Sequence, residues 1–192
     1  MQSKLNPMYI TLPNILTLLR ILAVPFFVIA LWYGHALEAC LIFAGAGLTD
    51  LLDGFIARRF NQGSELGAIL DPAADKLLMT AAFILMALPG TPLVARIPVW
   101  VSILAISRDV TMSLVAILAF DRLGKERLLP TFLGKLTTAT ELVAISFGLL
   151  VNVIGLRTWT VWLIPWIYYL VALLVLISGL HYFFRATQPK SR

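Results

Sequence analysis

Residues Pro13 to Tyr33 read PNILTLLRILAVPFFVIALWY, an apolar run whose only charge is Arg20. A helical crossing of the bilayer takes about 20 such residues, so this stretch alone predicts a membrane helix. Only Lys4 is basic ahead of it, and no small-residue cleavage site follows, which favours a retained first span over a cleaved signal. The rest of the chain reads the same way. Of the 192 residues, 60% are hydrophobic and 13% charged, with a mean hydropathy of +0.91, more apolar side chains than one soluble core could hide. Hydropathy and breaker residues predict further helices over Ala36 to Arg59, Gly67 to Leu88, Leu93 to Phe120, Leu133 to Val153 and Thr158 to Phe184. The connections are Gly34-His35, Asn61 to Ser64, Pro89 to Pro92, Asp121 to Pro130 and Asn152 to Arg157. The expected architecture is an all-α integral membrane protein, a six-transmembrane-helix bundle forming one domain over residues 1–192. The single cysteine, Cys40, excludes an internal disulfide and a thiolate metal cluster.

Basic residues set the orientation, because cytoplasmic flanks collect Lys and Arg. The N-terminus, second loop, fourth loop and C-terminus, with their adjoining helix ends, hold 13 of the 15, leaving only Arg96 and Arg157 on the other side. Both termini are therefore expected to be cytoplasmic, in a multi-pass protein of the inner membrane. The net charge of +5 suits anionic headgroups or phosphorylated substrates; no aromatic-basic signature of nucleic-acid binding is present.

The acidic residues carry the chemistry, since a carboxylate inside a membrane helix is costly without a partner or a wet cavity. Asp50 and Asp53 are three apart and share a helix face; Asp71 and Asp75, four apart, share a face of the next helix. A turn at Asn61 to Ser64 brings the two pairs together near the cytoplasmic surface. Four carboxylates at such range cannot all stay ionised without cations. An all-oxygen set without His or Cys suits Mg²⁺ or Mn²⁺, which favour phosphate oxygens as further ligands. Gly54, Ala57 and Gly67 remove bulk beside the acids, and Arg58 lies two turns from Asp50; together these predict a nucleotide or diphosphate site. Arg20, Arg108 and Lys135 are cations inside or at the ends of apolar helices, where snorkelling to the interface is the ordinary reading; Arg108, well inside its span, either pairs with Asp109 or points at an anionic substrate.

Asp50-Leu-Leu-Asp53-Gly54-Phe-Ile-Ala57-Arg58, eight residues, Gly67, three residues, Asp71, three residues and Asp75 resembles at every fixed position the CDP-alcohol phosphatidyltransferase motif D(x)2DG(x)2AR(x)8G(x)3D(x)3D. The resemblance extends through Pro13-Asn14, Thr17 and Arg20, through Ser107-Arg108-Asp109, and through Gly134-Lys135-Leu-Thr137-Thr138. It implies a six-helix bundle, usually a homodimer, with a cytoplasm-facing cavity open sideways to lipid and CDP-diacylglycerol as donor. It further implies that Asp50, Asp53, Asp71 and Asp75 hold two divalent ions, that Gly54, Ala57, Arg58 and Gly67 surround the cytidine nucleotide, and that Asp75 is the general base. Arg20, Arg108 and Lys135 are then the acceptor contacts.

Two acceptors stay open. Asn14, Thr17 and Arg20 are similar to the phosphatidylglycerophosphate synthases, which use glycerol 3-phosphate, the first choice here. Those enzymes often carry a second lysine where this chain has Thr137, and a Glu where it has Asp109. Gly47 to Arg58, Ile106 to Val110 and Pro130-Thr-Phe instead resemble the cardiolipin synthases, which use phosphatidylglycerol. A divalent-cation transporter is the rival outside enzymes, but it would need acidic residues through both halves of the membrane, and the four aspartates lie toward one side. Aspartate-rich prenyl transferases are longer and carry two separated motifs.

Overall fold

The computed structural model describes residues 12–60, 65–118 and 131–187, with side chains described at 14–50, 70–115, 131–182 and 184. Six α-helices lie among the described residues: α1 (Leu12–Trp32), α2 (Ala36–Phe60), α3 (Glu65–Ala87), α4 (Val99–Leu118), α5 (Phe132–Ile154) and α6 (Thr158–Thr187). The expected loops at Asn61 to Ser64 and Asp121 to Pro130 lie outside the described residues. α1 packs on α2 and α3, α5 on α6 and α2, and α4 on α6 with a lighter contact to α3.

Among the described residues, three stretches are long and apolar enough to cross a membrane: Asn14–Trp32, Phe132–Ile154 and Thr158–Tyr182. Side chains such as Leu22 and Phe26 on α1 and Trp162 and Trp166 on α6 are exposed, the arrangement expected of helices whose outer face meets hydrocarbon rather than water. The protein is a helical membrane protein. α2 and α3 carry Asp50, Asp53, Asp71 and Asp75, and their acidic ends explain why their mean hydropathy is lower.

The core occupies the end of the bundle away from the aspartates. Phe27, Leu31, Met86, Ile97, Val101, Ile145 and Leu149 are essentially without solvent exposure, and the Phe27 and Phe43 rings lie 5.8 Å apart across α1 and α2. One described boundary differs from the sequence expectation by more than a helical turn. Leu93 to Pro98 is loop and α4 starts at Val99. The apolar residues Leu93, Ala95 and Ile97 are buried as a cap under the core, while Pro92 and Pro98 flank a backbone that takes other partners. Asn152 of α5 accepts from the Val94 and Ala95 amides at 2.7 and 3.0 Å and donates to the Ala95 carbonyl at 2.9 Å. The Arg96 guanidinium donates to the Thr91 carbonyl at 2.7 Å.

The α1–α2 connection turns on Gly34, whose φ of +78° falls in the left-handed region, with Pro92 against its open side: an added Cβ would stand 2.7 Å from the Pro92 Cγ. A side chain here meets both backbone strain and a clash. Gly34→Ala is therefore expected to cost about 1–2 kcal/mol, read as a lower melting temperature of the detergent-solubilised protein; an unchanged melting temperature would show that the turn relaxes freely.

Candidate functional site

Asn14, Thr17 and Arg20 recur every third residue on α1 and so share one face. All three are buried, Arg20 to 2% exposure, in a helix otherwise built of aliphatic and aromatic residues. A guanidinium in such a place needs anionic partners, and α2 and α3 supply them. Arg20 Nη1 donates to Asp50 Oδ1 at 3.0 Å and to Asp75 Oδ1 at 2.8 Å. The Thr17 hydroxyl donates to Asp71 Oδ1. Three of the four motif aspartates thus meet on the inner face of α1. Arg20, expected at the acceptor, stands against these carboxylates, and it also lines the cavity described next.

Asp53, Gly54, Ala57 and Arg58 lie on α2 and Gly67 on α3; their side chains are outside the described residues. Among the described residues no three carboxylate, imidazole or thiol groups already form a metal cage. The donor chemistry nevertheless fits a hard divalent ion. Asp50, Asp71 and Asp75 offer carboxylate oxygens from adjacent helices, and neither His35 nor His181 lines the cavity.

A cavity of about 870 Å³ runs from Arg20, Asp50 and Asp75 toward α4 and α5, large enough for a nucleotide and part of a lipid headgroup. Its far wall is built on the Arg108–Asp109 pair of α4. Arg108 Nη1 donates to Asp109 Oδ1 at 2.6 Å, and Nη2 reaches the Gly134 carbonyl of α5 at 3.4 Å. Gly134 permits this approach, since a Cβ there would stand 3.3 Å from Arg108 Nη2. The first turn of α5 is fixed by Thr131, whose hydroxyl accepts from the Gly134 amide at 3.1 Å, a capping bond that satisfies a helix-start N–H. Lys135 follows directly, exposed and on the cavity wall.

Two charged groups of this region were not among the sequence candidates. Lys76 lines the cavity, and its ammonium donates to the Asp109 carbonyl at 3.4 Å and to the Ser113 hydroxyl. Its signal was available: a lysine next to Asp75 within an apolar helix. Glu141 of α5 is fully buried, and neither carboxyl oxygen has a hydrogen-bond partner among the described residues. An acid midway along an apolar span was the cue for it.

A family model described as CDP-alcohol phosphatidyltransferase matches residues 10–186. The chain belongs to that family. It is 41% identical over 155 residues to "CDP-diacylglycerol--glycerol-3-phosphate 3-phosphatidyltransferase 2" of Arabidopsis thaliana, covering 75% of this chain and 66% of the relative. Against the "Probable phosphatidylglycerophosphate synthase" of Mycobacterium tuberculosis it is 39% identical over 146 residues, covering 72% of this chain and 66% of the relative. Against the "Cardiolipin synthase (CMP-forming) / mitochondrial hydrolase fusion protein" of Schizosaccharomyces pombe it is 38% identical over 142 residues, covering 73% of this chain and 23% of that longer protein. The matched part of the chain thus spans just under two thirds of the first two relatives and about a quarter of the third. No solved structure gives a significant match.

Proposed function

We propose that this chain transfers a phosphatidyl group from CDP-diacylglycerol to a glycerol hydroxyl, releasing CMP, with glycerol 3-phosphate as the acceptor, which makes it a phosphatidylglycerophosphate synthase. One observation carries the reading: a single cavity has the Asp50 and Asp75 carboxylates at one end and Arg108 and Lys135 at the other, acids for metal and diphosphate facing cations for an anionic acceptor. The names of the plant and mycobacterial relatives support the same acceptor.

In this mechanism Asp50, Asp53, Asp71 and Asp75 hold two divalent ions, Mg²⁺ or Mn²⁺. Those ions, when bound, neutralise the diphosphate and stabilise the charge that develops on departing CMP. Gly54, Ala57, Arg58 and Gly67 frame the cytidine nucleotide. Arg108 and Lys135 hold the acceptor's phosphate, while the nitrogen of Arg20 is engaged by Asp50 and Asp75. Asp75 accepts the proton of the acceptor hydroxyl as its oxygen bonds to the lipid-linked phosphorus and the phosphorus–oxygen bond to CMP breaks. No covalent intermediate on the chain is needed. The bundle crosses the inner membrane six times as a homodimer, with both termini and the cavity mouth in the cytoplasm; the distribution of Lys and Arg and the apolar outer faces of α1 and α6 support this placement.

A second acceptor is favoured by one specific contact. Asp109 takes up part of the Arg108 charge at 2.6 Å, which leaves less cation for a phosphomonoester and suits phosphatidylglycerol, whose phosphodiester carries one charge. The fission-yeast relative's name agrees with that reading.

The test is purified protein with CDP-diacylglycerol and Mn²⁺ or Mg²⁺, offered each acceptor in turn while CMP is followed. CMP release that depends on glycerol 3-phosphate is the expected result; dependence on phosphatidylglycerol selects the second acceptor, and release indifferent to any acceptor contradicts both. Asp75→Asn is expected to keep donor binding and lose turnover by about 10²-fold or more. Asp50→Asn and Asp71→Asn should lose metal-dependent donor binding as well, and Arg58→Ala should show a milder loss. Full activity in Asp75→Asn would remove it as the base.

A further inference from the structure

We infer that α1 is a template for the metal ligands: Thr17 and Arg20 are positioning residues that hold the carboxylates of Asp71, Asp50 and Asp75 in a shared orientation from behind. The inference rests on the reading that these aspartates bind divalent ions.

Asp50 stands on α2, Asp71 and Asp75 on α3, and their mutual repulsion would splay them apart. Contacts from α1 oppose that. One guanidinium nitrogen touches a carboxylate from each helix, at 3.0 and 2.8 Å, and so links α2 to α3 through α1. Thr17, one turn away on the same face, secures Asp71. The two donors have no exposed surface to speak of: the Arg20 side chain is at 0%, whereas the Asp50 and Asp75 side chains it holds are 41% and 44% exposed. The carboxylates thus bond a buried donor while keeping exposed surface of their own. A carboxylate has about four lone-pair sites, so one N–H bond leaves capacity for a cation as well. Outer hydrogen-bond partners orient metal ligands in this way, and the inference requires that Arg20 stay in place when the ions bind.

The measurement is Mn²⁺ affinity of the full-length, detergent-solubilised protein without substrate, from the free-ion EPR signal, for wild type, Thr17→Val, Arg20→Lys and Arg20→Gln. Thr17→Val is close to isosteric and Arg20→Lys keeps the charge while losing the planar fork. Both are expected to bind Mn²⁺ roughly tenfold more weakly, and Arg20→Gln more weakly still. A role in packing alone would lower the melting temperature but leave the affinity of the folded protein unchanged, and that result in Thr17→Val and Arg20→Lys overturns the inference. Tighter binding in the Arg20 variants overturns it too, by showing a competing cation. Should the Arg20 variants fail to fold, Thr17→Val decides. Wild type that binds no Mn²⁺ would instead refute the metal reading on which the inference stands.

Discussion

The contact of one Arg20 guanidinium nitrogen with Asp50 and Asp75 is the interaction on which the rest of this bundle depends. Acidic side chains grouped in a membrane helix pair are unfavourable through both desolvation and mutual repulsion. A fixed positive charge beside them relieves both penalties, and the hydroxyl of Thr17 adds a neutral donor to Asp71. α1 accordingly carries two opposed faces. Outward it presents Leu18, Leu19, Leu22 and Phe26, exposed; inward it presents Asn14, Thr17 and Arg20, buried. The helix is both a membrane anchor and a polar scaffold, possible because residues three apart share a side.

The two ends of the molecule divide the labour. The apolar end, from Phe27 to Ile97 and Leu149, is closed by the loop over Leu93 to Pro98 that Asn152 stitches to α5. The cavity lies toward the other, polar end. Across that cavity the α4–α5 contact repeats the logic of α1: Arg108 is held by Asp109 and the Gly134 carbonyl, while Lys76 of α3 reaches the same stretch of α4. Among the described residues, charged groups of α1 to α5, namely Arg20, Asp50, Asp75, Lys76, Arg108, Asp109 and Lys135, thus line one cavity, and the family membership of the chain gives that convergence its chemical sense.

Much of this was legible in the sequence because it is local. Six apolar runs marked six helices, and the three- and four-residue spacings of the aspartates placed each pair on one face. The α4 start is not legible in this way, because Leu93, Ala95 and Ile97 are as apolar as a helix, and it takes the bonds from the distant Asn152 as well as Pro92 and Pro98 to make them a loop. The partners of Arg20 were hidden for a similar reason: they stand 30 and 55 residues away, and helix periodicity says nothing about which helices touch. An arginine in an apolar run reads equally as a substrate contact, a snorkelling anchor or a structural counter-charge. Lys76 was overlooked beside the more conspicuous Asp75, though it points to α4 rather than to the acids.

The most direct test of the central claim is a crystal structure of the protein with Mn²⁺ and a cytidine nucleotide, with manganese located by its anomalous scattering. Two manganese ions held by Asp50, Asp53, Asp71 and Asp75 against the nucleotide's phosphate are expected, with Arg20 still bonded to Asp50 and Asp75. Manganese absent from that pocket, or aspartate side chains turned to different sides of the bundle, would contradict it.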